Sequence, residues 1–133
     1  MKKILLDTNF LLIPWQFKVD IFTHIDKVSA FKYELFILDK TLDELKKIVE
    51  EQKGKDKDAA KVALKLIALK NIRIIKTKSS EKTDELILKI AFKDDFIVAT
   101  QDKELRSRLK QKNVPIMLLR QKKRVVFFNP KGM

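Results

Sequence analysis

FIVATQD, residues 96–102, is the stretch on which the fold turns. Phe96 to Thr100 is a run of strand-favouring or small residues with no charge among them, the composition of a strand covered on both faces of a sheet. Asp102 follows where such a strand ends. A basic segment of helical period, Lys103 to Lys112, comes next and leads into PIMLL at Pro115 to Leu119. Strand, helix and strand in this order read as a βαβ unit, whose strands are parallel.

The same rhythm extends towards the N-terminus. Lys2 to Leu6 reads as a strand that closes on Asp7. From about Pro14 to Phe31, Phe17, Ile21, Ile25 and Val28 recur at three-to-four spacing and predict one amphipathic helix. Glu34 to Leu38 is a second strand. Thr41-Leu42-Asp43-Glu44 matches a capping box, with Thr41 as N-cap and Glu44 in the first turn of a helix that continues through Leu45, Ile48 and Val49. The charged EEQKGKDKD segment, Glu50 to Asp58, breaks the chain before a helix from Ala59 to Leu69. A strand at Ile72 to Ile75, a helix from Asp84 to about Phe92, and an edge strand at Arg124 to Phe128 behind a turn at Gln121 to Lys123 complete the pattern. The expected fold is α/β: a doubly wound, mostly parallel sheet flanked by helices, in one domain spanning residues 1–133.

Composition narrows the function classes. The chain has 133 residues, 45% of them hydrophobic, enough for one sizeable core. It has no cysteine, which excludes a disulfide framework and a thiolate zinc site and points to a reducing cytoplasm. Asp7 and Asn9 interrupt the N-terminal apolar run before signal-peptide length, and no run of about 18 apolar residues offers a membrane span. The net charge of +12 is unevenly placed: residues 103–133 hold ten basic residues and one acid, Glu104. A basic surface of this kind selects polyanions through phosphate contacts.

Four acids stand out. Asp7 and Asp102 each lie just beyond a predicted strand and before a helix, at the carboxyl ends where open α/β sheets bind ligands. Glu44 and Asp84 occupy predicted first turns, and Asp84 shares a helical stripe with Ile87 and Ala91, facing the core. Each has a folding role available: Glu44 as the reciprocal half of a capping box, Asp84 against a helix dipole, Asp102 as an N-cap. Asp7, closing a buried strand, has less reason to be there for folding. Gathered on one rim, four carboxylates would repel one another unless cations neutralised them, and hard oxygen donors suit Mg²⁺ or Mn²⁺.

The segments ILLDTNFLLIPWQFKVDI at the start, ILDKTLDEL around Glu44, KTDELIL around Asp84 and FIVATQDKELRSRLKQKNVPIMLL near the end resemble the PIN-domain ribonucleases. Within them the chain is similar to the archaeal single-domain relatives of the small-subunit processome endonuclease. The resemblance spans nearly the whole chain and implies a metal-dependent endoribonuclease acting in rRNA processing or RNA turnover. It makes Asp7, Glu44, Asp84 and Asp102 the catalytic, metal-binding acids, with Thr8, Asn9 and Thr100 as supporting polar groups. Glu85 stands where processome-type members often carry a second Asp, so the resemblance leaves open whether Asp84 or Glu85 faces the metal. It also implies rRNA or pre-rRNA as partner and, by kinship, a homodimer.

Lys103, Arg106, Arg108 and Lys110 follow directly on Asp102 and are the expected RNA contacts, although Leu105 and Leu109 on the opposite face fit an ordinary solvated helix equally well. The single histidine, His24, reads as structural, and Trp15 as a packing residue. Competing readings are an RNA-binding ribosome-assembly factor with the same fold and little catalysis, and a toxin-type ribonuclease of a toxin–antitoxin pair. A phosphoacceptor domain is disfavoured, because Leu119-Arg120 supplies an arginine where such domains resemble one another in carrying lysine.

Overall fold

The computed structural model describes residues 1–130. Along the chain run β1 (Lys2–Leu6), α1 (Thr8–Leu11), α2 (Ile13–Phe17), α3 (Ile21–Val28), β2 (Tyr33–Leu38), α4 (Asp39–Glu51), α5 (Lys55–Leu69), β3 (Arg73–Ile75), α6 (Thr83–Asp94), β4 (Phe96–Ala99), α7 (Lys103–Gln111), β5 (Ile116–Arg120) and β6 (Arg124–Phe128). The strands form one sheet in the order β3-β2-β1-β4-β5-β6. All pairings are parallel except β5 with β6. The strand order reverses between β1 and β4, so the chain winds outward from these two strands in both directions.

Each face of the sheet carries its own core. Ile4 and Leu6 of β1, Ile97 and Ala99 of β4, and Met117 and Leu119 of β5 pack on one side with Phe10, Ile21, Ile25, Leu45, Ala63 and Ile67 from the α1–α5 segment. Their alternates Leu5, Val98 and Ile116 pack on the other with Leu86, Ile87, Leu105 and Leu109 of α6 and α7. Alternation along buried strands therefore serves two helix layers, which is why β1 and β4 read as continuous apolar runs. Among the described residues no helix is long and apolar enough to cross a membrane.

The sequence reading needs correction at three points. The helix expected from Pro14 to Phe31 is two helices. Lys18 ends α2 in the left-handed conformation at φ 55°, and Asp20 opens α3 by accepting hydrogen bonds from the Phe22 and Thr23 amides at 3.1 and 3.2 Å. The spacing of Phe17, Ile21, Ile25 and Val28 matched a continuous stripe, yet an N-cap aspartate inside it started a new helix. Asp20 also accepts from the Thr23 hydroxyl, which holds its carboxyl below the usual carboxylate range. Its stabilising effect is thus present above the ordinary aspartate pKa and is lost as pH falls through the lowered native value. Asp20→Ala is expected to cost about 1 kcal/mol in urea denaturation at neutral pH, with the difference from wild type shrinking in acid.

The second correction concerns the capping box. Helix α4 begins at Asp39, with Leu38 as its N-cap residue, so Thr41 lies inside the helix and Glu44 in its second turn. Asp39 displaces the expected start: its carboxylate accepts from the Lys40 amide and from both the amide and the hydroxyl of Thr77 beyond β3. Thr41 is fully buried and its hydroxyl has no partner among the described residues. Helix α5 likewise starts at Lys55, four residues before the expected Ala59, because Gly54 at φ 64° makes the break itself.

Candidate active site at the carboxyl ends of β1 and β4

The β1–β4 ladder runs to Leu6↔Ala99 and is extended by the Asp7 amide donating to the Ala99 carbonyl at 2.9 Å. Adjacent parallel strands therefore deliver Asp7 and the Thr100-Gln101-Asp102 loop to the same place. Asp7 ends β1 and caps α1, accepting from the Thr8 amide through Oδ1 at 2.8 Å. Its Oδ2 accepts from the Thr100 hydroxyl at 2.7 Å and from Asn9 Nδ2 at 3.1 Å. Thr100, fully buried, also accepts the Asp102 amide at 3.1 Å, and Asn9 Oδ1 accepts the Gln101 amide at 2.9 Å. Asn9 and Thr100 thus lace the two loops together.

Glu44, freed from the capping box, reaches across from α4. Its Oε1 accepts from the Thr8 hydroxyl at 2.5 Å and its Oε2 from the Thr83 hydroxyl at 3.2 Å. Asp84, in the first turn of α6, accepts from the Glu85 amide at 2.9 Å, and Asp102 caps α7 by accepting from the Leu105 amide at 3.0 Å. Asp7, Glu44, Asp84 and Asp102 line one open cleft of about 540 Å³, together with Thr8, Asn9, Leu12, Lys82 and Thr83. Burial, opposed by the Thr100 and Thr8 hydrogen bonds and reinforced by the charges of Glu44 and Asp102, pushes the Asp7 carboxyl up. A larger hollow of about 780 Å³ lies where β2 and β3 begin, lined by Met1, Phe22, Phe31 and Tyr33 among others. It is at the wrong end of the strands for a ligand crevice of this fold.

The donor set suits a hard divalent cation, and the repulsion felt by Asp7 is what such an ion relieves. Among the described residues no three acidic or histidine side chains close on a single point. The carboxylates are tied instead to hydroxyls and amides around an open cleft.

The family described as PIN like domain matches residues 4–122. The chain belongs to the PIN-like domain family. It is similar to ribonuclease VapC4 of Methanocaldococcus jannaschii, 36% identical over 124 residues covering 92% of this chain and 94% of that protein. It is also similar to ribonuclease VapC9 of Archaeoglobus fulgidus, 32% identical over 120 residues covering 90% of this chain and 84% of that protein. In structure this PIN-like chain resembles the PIN domain endonuclease Utp24 at TM-score 0.75 and 21% identity, covering 96% of this chain and 91% of the other. A domain of a functionally unknown protein from Methanocaldococcus jannaschii gives TM-score 0.58 at 16% identity, covering 90% and 91%. The fold is thus the PIN α/β sandwich.

Within that frame Asp84 and Glu85 have different surroundings. Asp84 lines the cleft, whereas Glu85 turns to α7 and accepts both guanidinium nitrogens of Arg108 at 2.6 and 3.1 Å. Arg108, expected among the RNA contacts, is thus engaged in a bidentate ion pair. Lys110 sits over the Phe128 ring at 4.9 Å. Helix α7 runs back from the cleft at about 1.5 Å per residue, which carries Lys110 roughly 10 Å or more from its first turn. Lys103 and Arg106 lie at the start of α7, directly after its N-cap Asp102. Thr83 and Lys82 were not singled out from the sequence; the only local signal was their position immediately before Asp84. His24 accepts the Val125 amide at 3.1 Å through Nδ1, binding α3 to β6, and Trp15 stacks with Lys18.

Proposed function

We propose that this chain is a metal-dependent endoribonuclease of the toxin type, hydrolysing phosphodiester bonds of RNA at the Asp7, Glu44, Asp84 and Asp102 cleft. The observation that carries the reading is the meeting of four carboxylates from four segments in one open cleft, at the sheet's reversal point, in a member of the PIN-like family. Two relatives above 30% identity are both named ribonuclease VapC, which favours a toxin-type enzyme over the rRNA processing expected from the processome resemblance. The likeness to Utp24, at 21% identity, speaks to the fold alone. An inhibitory protein partner and a cytoplasmic setting go with the toxin-type reading.

In this reading Asp7, Glu44, Asp84 and Asp102 hold Mg²⁺ or Mn²⁺. The chemistry supplied at such a site when an ion is bound is acidification of a water and neutralisation of charge on the scissile phosphate. The chain's own part is positional. Thr100 and Asn9 fix the Asp7 carboxylate, and Thr8 and Thr83 fix that of Glu44. Asp102 is held by its bond to the Leu105 amide, while Lys103 and Arg106 steer phosphates to the rim.

Labelled single-stranded RNA incubated with Mn²⁺ or Mg²⁺ is expected to be cut, and EDTA is expected to stop cutting. Tight binding without cleavage under every metal condition would support the assembly-factor reading. Induction of the wild-type chain in a heterologous host is expected to arrest growth, and induction of Asp102→Asn is not; equal growth of both would remove the toxin reading.

A further inference from the structure

The end of the β5–β6 hairpin carries a pair of cations that the site described above does not use. Arg120 closes β5, Arg124 opens β6, and the antiparallel register sets them directly opposite each other. Their neighbours Leu119 and Val125 are buried in the core on the α1–α5 side, so alternation turns both arginines to the α7 face. Like charges in direct cross-strand register repel. Both side chains are exposed, and among the described residues neither enters an ion pair.

Three features hold this pair next to the cleft. Strand β5 is parallel to β4, so Arg120 lies at the same end of the sheet as Asp102, one to two strand spacings to the side, or roughly 5–10 Å. Gln101 locks that end: its Oε1 accepts the Leu119 amide at 2.6 Å and its Nε2 donates to the Leu119 carbonyl at 3.2 Å, adding a side-chain rung between the Asp102 loop and β5. The turn itself is tight. Gln121 and Lys122 adopt φ of 56° and 57°, a left-handed pair that favours glycine, and the Lys123 amide donates to the Arg120 carbonyl at 3.1 Å. Neither turn residue is the glycine or asparagine that such a turn prefers, while the segment from 120 to 124 reads RQKKR.

We propose that Arg120 and Arg124 form a phosphate fork that grips the RNA backbone beside the cleft, an inference that rests on the ribonuclease reading. Two guanidinium groups carried by directly opposed backbone positions offer paired donors to successive or shared phosphate oxygens, and a phosphate removes the repulsion between them. RNA is favoured over an acidic protein partner because the fork lies at the same end of the sheet as the carboxylate cleft, and Gln101 couples it to the Asp102 loop.

The test is fluorescence anisotropy with a labelled single-stranded RNA in EDTA, where binding is read without cleavage. Arg120→Gln with Arg124→Gln is expected to weaken binding about tenfold and to reduce the salt dependence by about one to two phosphate contacts. Lys61→Gln with Lys65→Gln on exposed positions of α5 removes the same charge elsewhere and is expected to change binding less than about twofold. The thermal midpoint of the arginine double variant should stay level or rise, because a repulsive pair is removed; Arg120→Lys with Arg124→Lys, which keeps charge without the fork geometry, should bind between the two. Equal losses in the two double Gln variants, or no loss at the arginines, overturns the proposal. So does an oligoglutamate peptide that binds as tightly as RNA and loses as much on the arginine substitution, since the surface then docks an acidic protein. If the wild type cuts RNA with Mn²⁺ but the fork variant binds normally, the fork falls and the nuclease stands; if the wild type neither binds nor cuts RNA, both fall.

Discussion

Asp7→Asn is expected to lower Mn²⁺- or Mg²⁺-dependent RNA cleavage roughly a hundredfold or more, since even groups behind metal ligands cost about 10–100-fold, and to raise the thermal midpoint of the metal-free protein. The two effects have one cause. Asp7 is 8% exposed, and its carboxyl is pushed up by burial and by the nearby charges of Glu44 and Asp102. Between the ordinary aspartate pKa of 3.8 and the raised native value, the folded state binds more protons than the unfolded state. Stability of the metal-free protein therefore falls as pH rises through that window and stays lowered at neutral pH. Asparagine removes the charge and can still accept the Thr8 amide that caps α1. Thermal melts in EDTA across pH 3 to 8 should show a shallower pH dependence for the variant. With Mn²⁺ added, wild type should gain stability and the variant much less. A variant that is no more stable than wild type in EDTA and keeps wild-type cleavage would remove Asp7 from the centre of the site.

Thr100→Val is the second large expectation, and it separates shape from hydrogen bonding. Valine nearly matches threonine in size, so packing at this fully buried position is kept. What is lost is the donor to Asp7 Oδ2 and the acceptor for the Asp102 amide. Taking the Thr100 donor from the buried Asp7 carboxylate costs about 1–3 kcal/mol, measurable in urea denaturation. Because the same hydroxyl orients both strand-end acids, cleavage is expected to drop by roughly 10–100-fold. Thr100→Ser, which retains the hydroxyl, should restore most of the activity while paying only for a lost methyl. Loss of activity in Ser equal to that in Val would mean that packing, not the hydrogen bonds, is what matters there.

Much of this was legible along the chain because burial leaves a local signature. FIVAT had to be a strand covered on both faces, and Asp102 had to sit at its carboxyl end. Where reading failed, two local rules competed for the same residues. Thr41 and Glu44 satisfied the capping-box pattern, but Asp39 was an earlier and better-placed start because Thr77, far along the chain, supplied its carboxylate with a hydroxyl and an amide. The stripe through Phe17 and Ile21 fitted one helix, but Asp20 broke it from within. That Arg108 pairs with Glu85 of another helix was not legible along the chain, because the two lie 23 positions apart.

The residues alone determined the alternation of strands and helices, the burial of β1 and β4, and the placing of Asp7 and Asp102 at strand ends, since each follows from periodicity and composition over a few neighbours. Only the tertiary structure decided that β1 and β4 are adjacent. That adjacency joins Asp7 to Thr100 across 93 positions and, with the α4 crossover, Glu44 to Thr8 across 36. It also released Glu44 from a capping role, chose Asp84 over Glu85 for the cleft, and set Arg120 against Arg124 beside it. The physical reason is that a side chain's local pattern fixes which face it occupies, whereas its partner on that face is fixed by strand order and register, and these are properties of the whole sheet.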